Sequence, residues 1–174
     1  MRTFTVAVRP LDERLLRTLI AWGDGGAIQP VMRTLSRLGD GPIWYAAGAA
    51  AFLLGGDPGR RLALLGLAAG ALNALIYRAC KRRFVRPRPF QTLPDLPILW
   101  APPADFSFPS GHALHAFTSA TLMALQFPAI GPPAFVLAAL IALSRIVLAV
   151  HYPSDVLAGA WLGVIVGIGL NAAF

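Results

Sequence analysis

The chain has 174 residues, of which 56% are apolar and only 13% charged, with a mean hydropathy of +0.63. Soluble domains run at roughly 45–50% apolar and about 25% charged, so the composition excludes an ordinary soluble globular protein and a disordered one, and the length fits a single domain. Fifteen Lys and Arg against eight Asp and Glu give a formal charge of +7, which suits anionic headgroups or a phosphorylated substrate; the apolar runs leave no soluble face for a nucleic acid, and the single cysteine, Cys80, excludes an intrachain disulfide and a thiolate zinc site.

The opening MRTFTVAVRP lacks the long apolar core of a signal peptide. Residues 11–38 place Leu11, Leu15, Leu16 and Leu19 on one helical face and Arg14 and Arg17 on another, which predicts an amphipathic helix lying on the membrane, a Gly-rich turn and a second short helix. A buried span is disfavoured, because Asp12, Glu13, Arg14 and Arg17 would sit in hydrocarbon at about +2.5 to +3.5 kcal/mol for each Arg or Asp near the centre. Five apolar runs follow, at 42–56, 62–77, 111–127, 132–150 and 156–174. A spanning helix needs about 20 residues, so the first two runs must recruit flanking residues. The runs are continuous rather than alternating and rich in Gly and Ala, which favours close-packed helices over barrel strands. The expectation is an all-α integral membrane bundle of about five transmembrane helices over 42–174, preceded by an amphipathic interfacial segment over 1–41. GDPGRR at 56–61 and FPAIGPP from Phe127 read as short turns, and Trp22, Trp44, Tyr45 and Trp100 as interfacial aromatics.

Alternating spans place the end of the second run, the start of the third and the end of the fourth on one face of the membrane, with the N-terminal segment beside them and the C-terminus opposite. Three unusual polar segments meet there. The first, at 81–89, carries five cations in eight residues, Lys81, Arg82, Arg83, Arg86 and Arg88. It reads either as a positive-inside anchor or as a fixed presentation of Lys81 and Arg88, since two X-Pro steps force an extended path. The second is Phe108-Pro109-Ser110-Gly111-His112. Ser110 is an N-cap candidate, and the free amides and positive dipole end of the following helix make a phosphate-binding position, with Gly111 permitting close approach and His112 offering a proton. The ordinary alternative is a capped helix start with an interfacial histidine. The third is Ser144-Arg145, then His151 and Asp155. An intramembrane Arg is a functional candidate by default; Arg145 lies roughly 9 Å below His151 at about 1.5 Å per helical residue, its long stem reaching up toward the polar site. Asp155, in the first turn of the last span, is placed to hold His151 in one tautomer with a nitrogen free for nucleophilic or base chemistry; an ordinary helix-turn pair is the alternative.

Together the segments spell Lys-x6-Arg-Pro, Pro-Ser-Gly-His and Ser-Arg-x5-His-x3-Asp over residues 81–155. This resembles the type 2 phosphatidic acid phosphatase family, which shares its phosphate site with glucose-6-phosphatases, bacterial class A acid phosphatases and vanadium haloperoxidases. Membrane members commonly have six spans, and here interfacial helices take the place of the first. The resemblance implies that His151 attacks phosphorus to give a phosphohistidine, that Asp155 orients it, and that His112 protonates the leaving oxygen and then activates water. It implies that Lys81, Arg88, Ser110, Gly111 and Arg145 hold the phosphoryl oxygens. Arg82, Arg83 and Arg86 are expected at lipid headgroups, His115 in a structural role, and Asp105 in a turn or gate.

No cofactor or metal is expected: only Asp95, Asp105 and Asp155 follow residue 57, too few acids for a magnesium cage, so cations and helix amides must supply the stabilisation. The expected partners are a lipid phosphate or diphosphate substrate and membrane lipids, with no nucleic acid; oligomeric state is left open. The resemblance favours a polyprenyl diphosphate substrate over phosphatidylglycerophosphate, phosphatidic acid or lipid A. A soluble haloperoxidase is disfavoured by the apolar runs. A non-catalytic lipid-binding scaffold is disfavoured because binding phosphate needs no nucleophile. The chain is expected as a multi-pass protein of the cell (inner) membrane. Relatives imply a periplasmic site, whereas six arginines on the site face (Arg2, Arg9, Arg14, Arg17, Arg33, Arg37) against Arg60 and Arg61 opposite imply a cytoplasmic one.

Overall fold

The structure, a computed structural model, describes residues 4–96 and 106–174, so Arg2, Trp100 and Asp105 lie outside the described residues. Helix α1 (Pro10–Gly23) opens on a proline at its first turn, where a missing N–H costs nothing. It turns Leu16 and Ile20 inward and leaves Leu11, Leu15 and Trp22 outside. Gly25 (φ 130°) and Gly26 (φ 56°) make the turn into α2 (Ile28–Leu38), a left-handed path that L side chains rarely adopt. Both helices pack on α7 (Gly131–Val147), where Leu16 and Ile20 meet Ile146 and Tyr152, and Met32 meets Val147, Leu148 and Val150.

Helix α3 (Pro42–Leu54) lies against α4 (Gly56–Arg83), and a short extended passage leads to α5 (Pro89–Thr92). Within that passage β2 (Phe84–Val85) pairs in parallel with β1 (Phe4–Thr5), clipping the N-terminal segment to the end of α4. Helix α6 (Gly111–Gln126) packs against α4, α7 and α8 (Pro153–Ala173), with a 3-10 turn (Pro128–Ile130) joining it to α7. The α3–α4 turn at Gly55 faces Phe127, and Gly39 faces His112, so α3 descends from the polar end and α4 returns to it. The expected convergence of the three polar segments on one end is what the structure shows.

Among the described residues three helices are long and apolar enough to cross a membrane: α4, the continuous helical stretch Pro128–Val147, and α8. α3 has 13 residues and α6 has 16. Leu64, Leu67 and Leu75 on α4 and Leu157, Trp161, Ile165 and Ile168 on α8 point outward, an apolar girdle that hydrocarbon covers. The boundaries differ from expectation in two places. GDPGRR is not a turn: the chain reverses at Gly55 and Gly56 (φ 60°), and residues 57–61 already wind the first turns of α4, which runs on through the basic residues to Arg83. The fourth run stops at Val147 rather than Val150, because Ala149 takes a positive φ of 57° and folds the chain back.

The α6–α8 contact sets the height of the site. Gly159, Gly163 and Gly167 recur every four residues and so share one face of α8. Without side chains they let α8 lie directly on the α6 backbone, a packing mode that membrane helices favour. A Cβ at Gly163 would fall 2.5 Å from the Leu114 carbonyl oxygen and 2.9 Å from the Thr118 nitrogen. Gly163→Val is therefore expected to destabilise by at least the ~1–3 kcal/mol typical of overpacking, since backbone cannot yield as a side chain can. A lower thermal midpoint in detergent would show it, and an unchanged one would contradict it.

Candidate active site

The chain reversal after α7 and the starts of α5 and α6 build the site. At the C-terminus of α7 the Arg145 carbonyl accepts the amides of both Val150 and His151, each at 3.1 Å. The backbone of Arg145 therefore lies beside His151 instead of a helical rise of 9 Å below it. The His151 ring is 3% exposed, with Nδ1 3.6 Å from Asp155 Oδ2 and Nε2 3.4 Å from Arg88 Nη1. Arg88 is fixed between two prolines. Its amide donates to Gln91 Oε1 (2.7 Å), and its Nη1 donates to the Val150 carbonyl (3.0 Å).

Ser110 caps α6, accepting the Ala113 amide at 3.4 Å, and its own amide donates to the Asp155 carbonyl at 3.0 Å. The helix starts of α6 and α8 are thus joined. The position a side chain at Gly111 would take lies 3.0 Å from the Tyr77 ring. His112 Nε2 stands 2.8 Å from Asp40 Oδ1, just past α2. Lys81, on the last turn of α4, donates to the Phe106 carbonyl and sits 5.1 Å from the centre of the Tyr77 ring. Arg145 donates to Ser36 of α2, both side chains buried, and its Nε has no hydrogen-bond partner among the described residues. Lys81, Arg88, Ser110, Gly111, His112, Arg145, His151 and Asp155 therefore all lie at one end of the bundle. His115 instead faces α4, its Nδ1 3.4 Å from Asn73 Nδ2.

Asp155 is completely buried. Its Oδ2 accepts the Tyr152 amide at 2.9 Å and faces His151, while Oδ1 accepts from Arg86. Arg86 departs from expectation. Instead of meeting headgroups it is 1% exposed, between Asp155 and Asp12 of α1 (Nη2 to Oδ2, 2.7 Å). Asp12 is likewise buried rather than on the polar face of an interfacial helix, because Arg86 compensates its charge. Asp12, Ser36, Asp40 and Arg86 carry no sequence signal of their own: Arg86 is one cation among five, and the other three stand on α1, on α2 and in the turn after α2, whose neighbours are recognisable only once folded. Glu13 and Arg17, by contrast, pair on the outer face of α1, and Arg17 also reaches Asp95.

The fold and site together define an integral membrane helical bundle whose polar end gathers histidines, several basic side chains and buried carboxylates. A family model described as the PAP2 superfamily matches residues 61–174, and the chain belongs to that superfamily as a multi-pass membrane protein. It is 38% identical over 127 residues to the decaprenylphosphoryl-5-phosphoribose phosphatase of Mycolicibacterium smegmatis, covering 73% of this chain and 68% of that protein. It is 29% identical over 146 residues to the undecaprenyl-diphosphatase of Sulfolobus acidocaldarius, covering 83% and 70%. The crystal structure of Aquifex aeolicus LpxE superposes with a TM-score of 0.81 at 27% identity, covering 97% of this chain and 99% of that one.

Burial pushes the His151 imidazole down to about 3, against the opposing pull of Asp155, so the ring is neutral at pH 7. In the unfolded chain it takes up a proton near its ordinary 6.5. The stability it confers is therefore complete above pH 6.5 and is lost as pH falls toward 3. The thermal midpoint in detergent should fall between pH 7 and pH 4, and fall less in His151→Asn; equal falls would contradict the assignment.

Proposed function

We propose that this PAP2 membrane protein is a lipid phosphatase that removes phosphate from a polyprenyl diphosphate through a phosphohistidine on His151. The observation that carries the reading is the arrangement of the two His151 nitrogens: one faces a buried carboxylate and the other a buried guanidinium. With the proton held on Nδ1 toward Asp155, the lone pair lies on Nε2, on the side where Arg88 would bind a phosphoryl oxygen. Nε2 attacks phosphorus, the P–O bond to the lipid leaving group breaks, and His112 gives its proton to the departing oxygen. His112 then takes a proton from water, which attacks the phosphohistidine and releases phosphate and a neutral imidazole.

Lys81, Arg88 and Arg145, with Ser110 and the first amides of α6, are assigned to the charge that spreads over the phosphoryl oxygens. Such preorganised charge is the largest catalytic contribution available for this reaction. The site lies at one end of the bundle, level with headgroups, where a lipid phosphate reaches it without leaving the bilayer. Residues 1–41 are assigned as an interfacial segment and 42–174 as the catalytic bundle, with the cell (inner) membrane as its location. The names of the two relatives, a decaprenylphosphoryl-5-phosphoribose phosphatase and an undecaprenyl-diphosphatase, support a polyprenyl substrate over phosphatidylglycerophosphate, phosphatidic acid or lipid A.

Phosphate release by the purified protein from undecaprenyl diphosphate, phosphatidylglycerophosphate and phosphatidic acid tests this, with His151→Ala alongside. The diphosphate should be preferred and all turnover lost in the variant, which still folds in the membrane. Hydrolysis retained by His151→Ala would remove the nucleophile, and release from none of the three would favour a non-catalytic lipid-binding scaffold. The charges assigned to the phosphate are cationic side chains, so turnover should also survive excess EDTA; a loss restored by magnesium would overturn the metal-free chemistry.

A further inference from the structure

A set of buried and half-buried polar contacts lies behind Asp155, on the side away from His151. The Arg86 guanidinium donates from Nη1 to Asp155 Oδ1 and to Ser154 Oγ (2.8 Å), and from Nη2 to Asp12 Oδ2 (2.7 Å). Ser154 in turn donates its hydroxyl to Asp12 Oδ2 (2.6 Å) and its amide to Asp12 Oδ1 (2.9 Å). Asp12 thus caps the start of α8 from a different helix, accepting one of the amides that the first turn leaves unpaired. The guanidinium also lies over the Tyr152 ring, 4.3 Å from its centre, on the residue between His151 and the start of α8. Asp12, Arg86 and Asp155 are each under 7% exposed.

The charge count gives this arrangement a catalytic consequence. One guanidinium against one carboxylate is neutral, and an Arg86 paired with Asp155 alone would absorb the negative charge that His151 needs when phosphorylation makes its ring cationic. Asp12 supplies the second carboxylate. The set Asp12, Arg86 and Asp155 keeps a net charge of −1, and the oxygen of Asp155 not taken by Arg86 faces His151.

We propose that Asp12 is a positioning residue for the reaction: acting through Arg86, it fixes the Asp155 carboxylate and leaves its charge available to His151. This rests on His151 being the nucleophile. It makes α1 part of the catalytic apparatus, although no atom of Asp12 reaches the substrate.

Full-length protein in detergent, with undecaprenyl diphosphate as the probe, tests this by steady-state kinetics on Asp12→Asn, Arg86→Gln, the double variant and His151→Ala, each checked for monodisperse folding. Asp12→Asn is isosteric and keeps an acceptor for the Ser154 amide. It should lower kcat roughly 10–100-fold, by analogy with the loss of a hydrogen-bond partner that orients a metal-ligating side chain, and leave KM within about twofold. In the Arg86→Gln background the same change should alter kcat by less than about twofold, because the intermediary is gone. Should Asp12→Asn not fold, Asp12→Ser takes its place in the same comparison. Parental kcat in folded Asp12→Asn, a loss confined to KM, or an equal kcat loss with and without Arg86 would each overturn the proposal while leaving His151 in its role. A parent inactive on this probe, or turnover retained in His151→Ala, would overturn the underlying reading and this proposal with it.

Discussion

A carboxylate with no solvent exposure must be compensated on every side, and Asp155 is compensated by all the pieces from which the site is made. Its side chain accepts the Tyr152 amide from the turn after α7 and the Arg86 guanidinium from the passage after α4, and it faces His151. Its backbone carbonyl accepts the Ser110 amide at the start of α6. Segments separated by up to 69 residues are therefore registered against a single residue. Removing any one partner would leave part of that charge bare in a water-poor interior, which is why the three motifs behave as one object.

The bundle below holds this object at a fixed height. Because α8 touches the backbone of α6 along a face of glycines, the two helix starts that carry Ser110 and Asp155 cannot slide apart without opening that contact. The N-terminal helices close the same end from the side. α1 brings Asp12 to Arg86, and α2 and its C-terminal turn bring Ser36 to Arg145 and Asp40 to His112. Each basic or imidazole group in these three contacts faces a residue of the N-terminal segment, which the motifs do not include.

That division explains what could be read from the amino acids. Apolar runs, helix starts at proline or serine, and motif spacing are local properties, so the helices, the shared polar face and the gathering there of the eight candidate residues are legible along the chain. The exact ends of α4 and α7 are not, because a glycine pair and a single positive-φ alanine decide them against the trend of hydropathy. Arg86 and Asp12 were legible only as charges. Their burial depends on meeting across 74 residues of sequence, and each without the other would belong at the surface. Asp40 and Ser36 are short polar residues in an amphipathic stretch, with nothing nearby to distinguish them from solvated ones.

The turn after α7 has a further consequence for how such a site tolerates change. Arg145 and His151 are anchored to the same carbonyl oxygen, that of Arg145 itself, through the amides of Val150 and His151. The five residues between the two side chains thus act as a ruler whose ends are tied to one point. All five are buried hydrophobics, and apart from Ala149 at the positive-φ turn their identity can drift while volume is kept, but their number cannot. One residue more or fewer would rotate the imidazole away from Arg88 and Asp155 together. In a chain built this way, length between functional groups is under stricter constraint than composition.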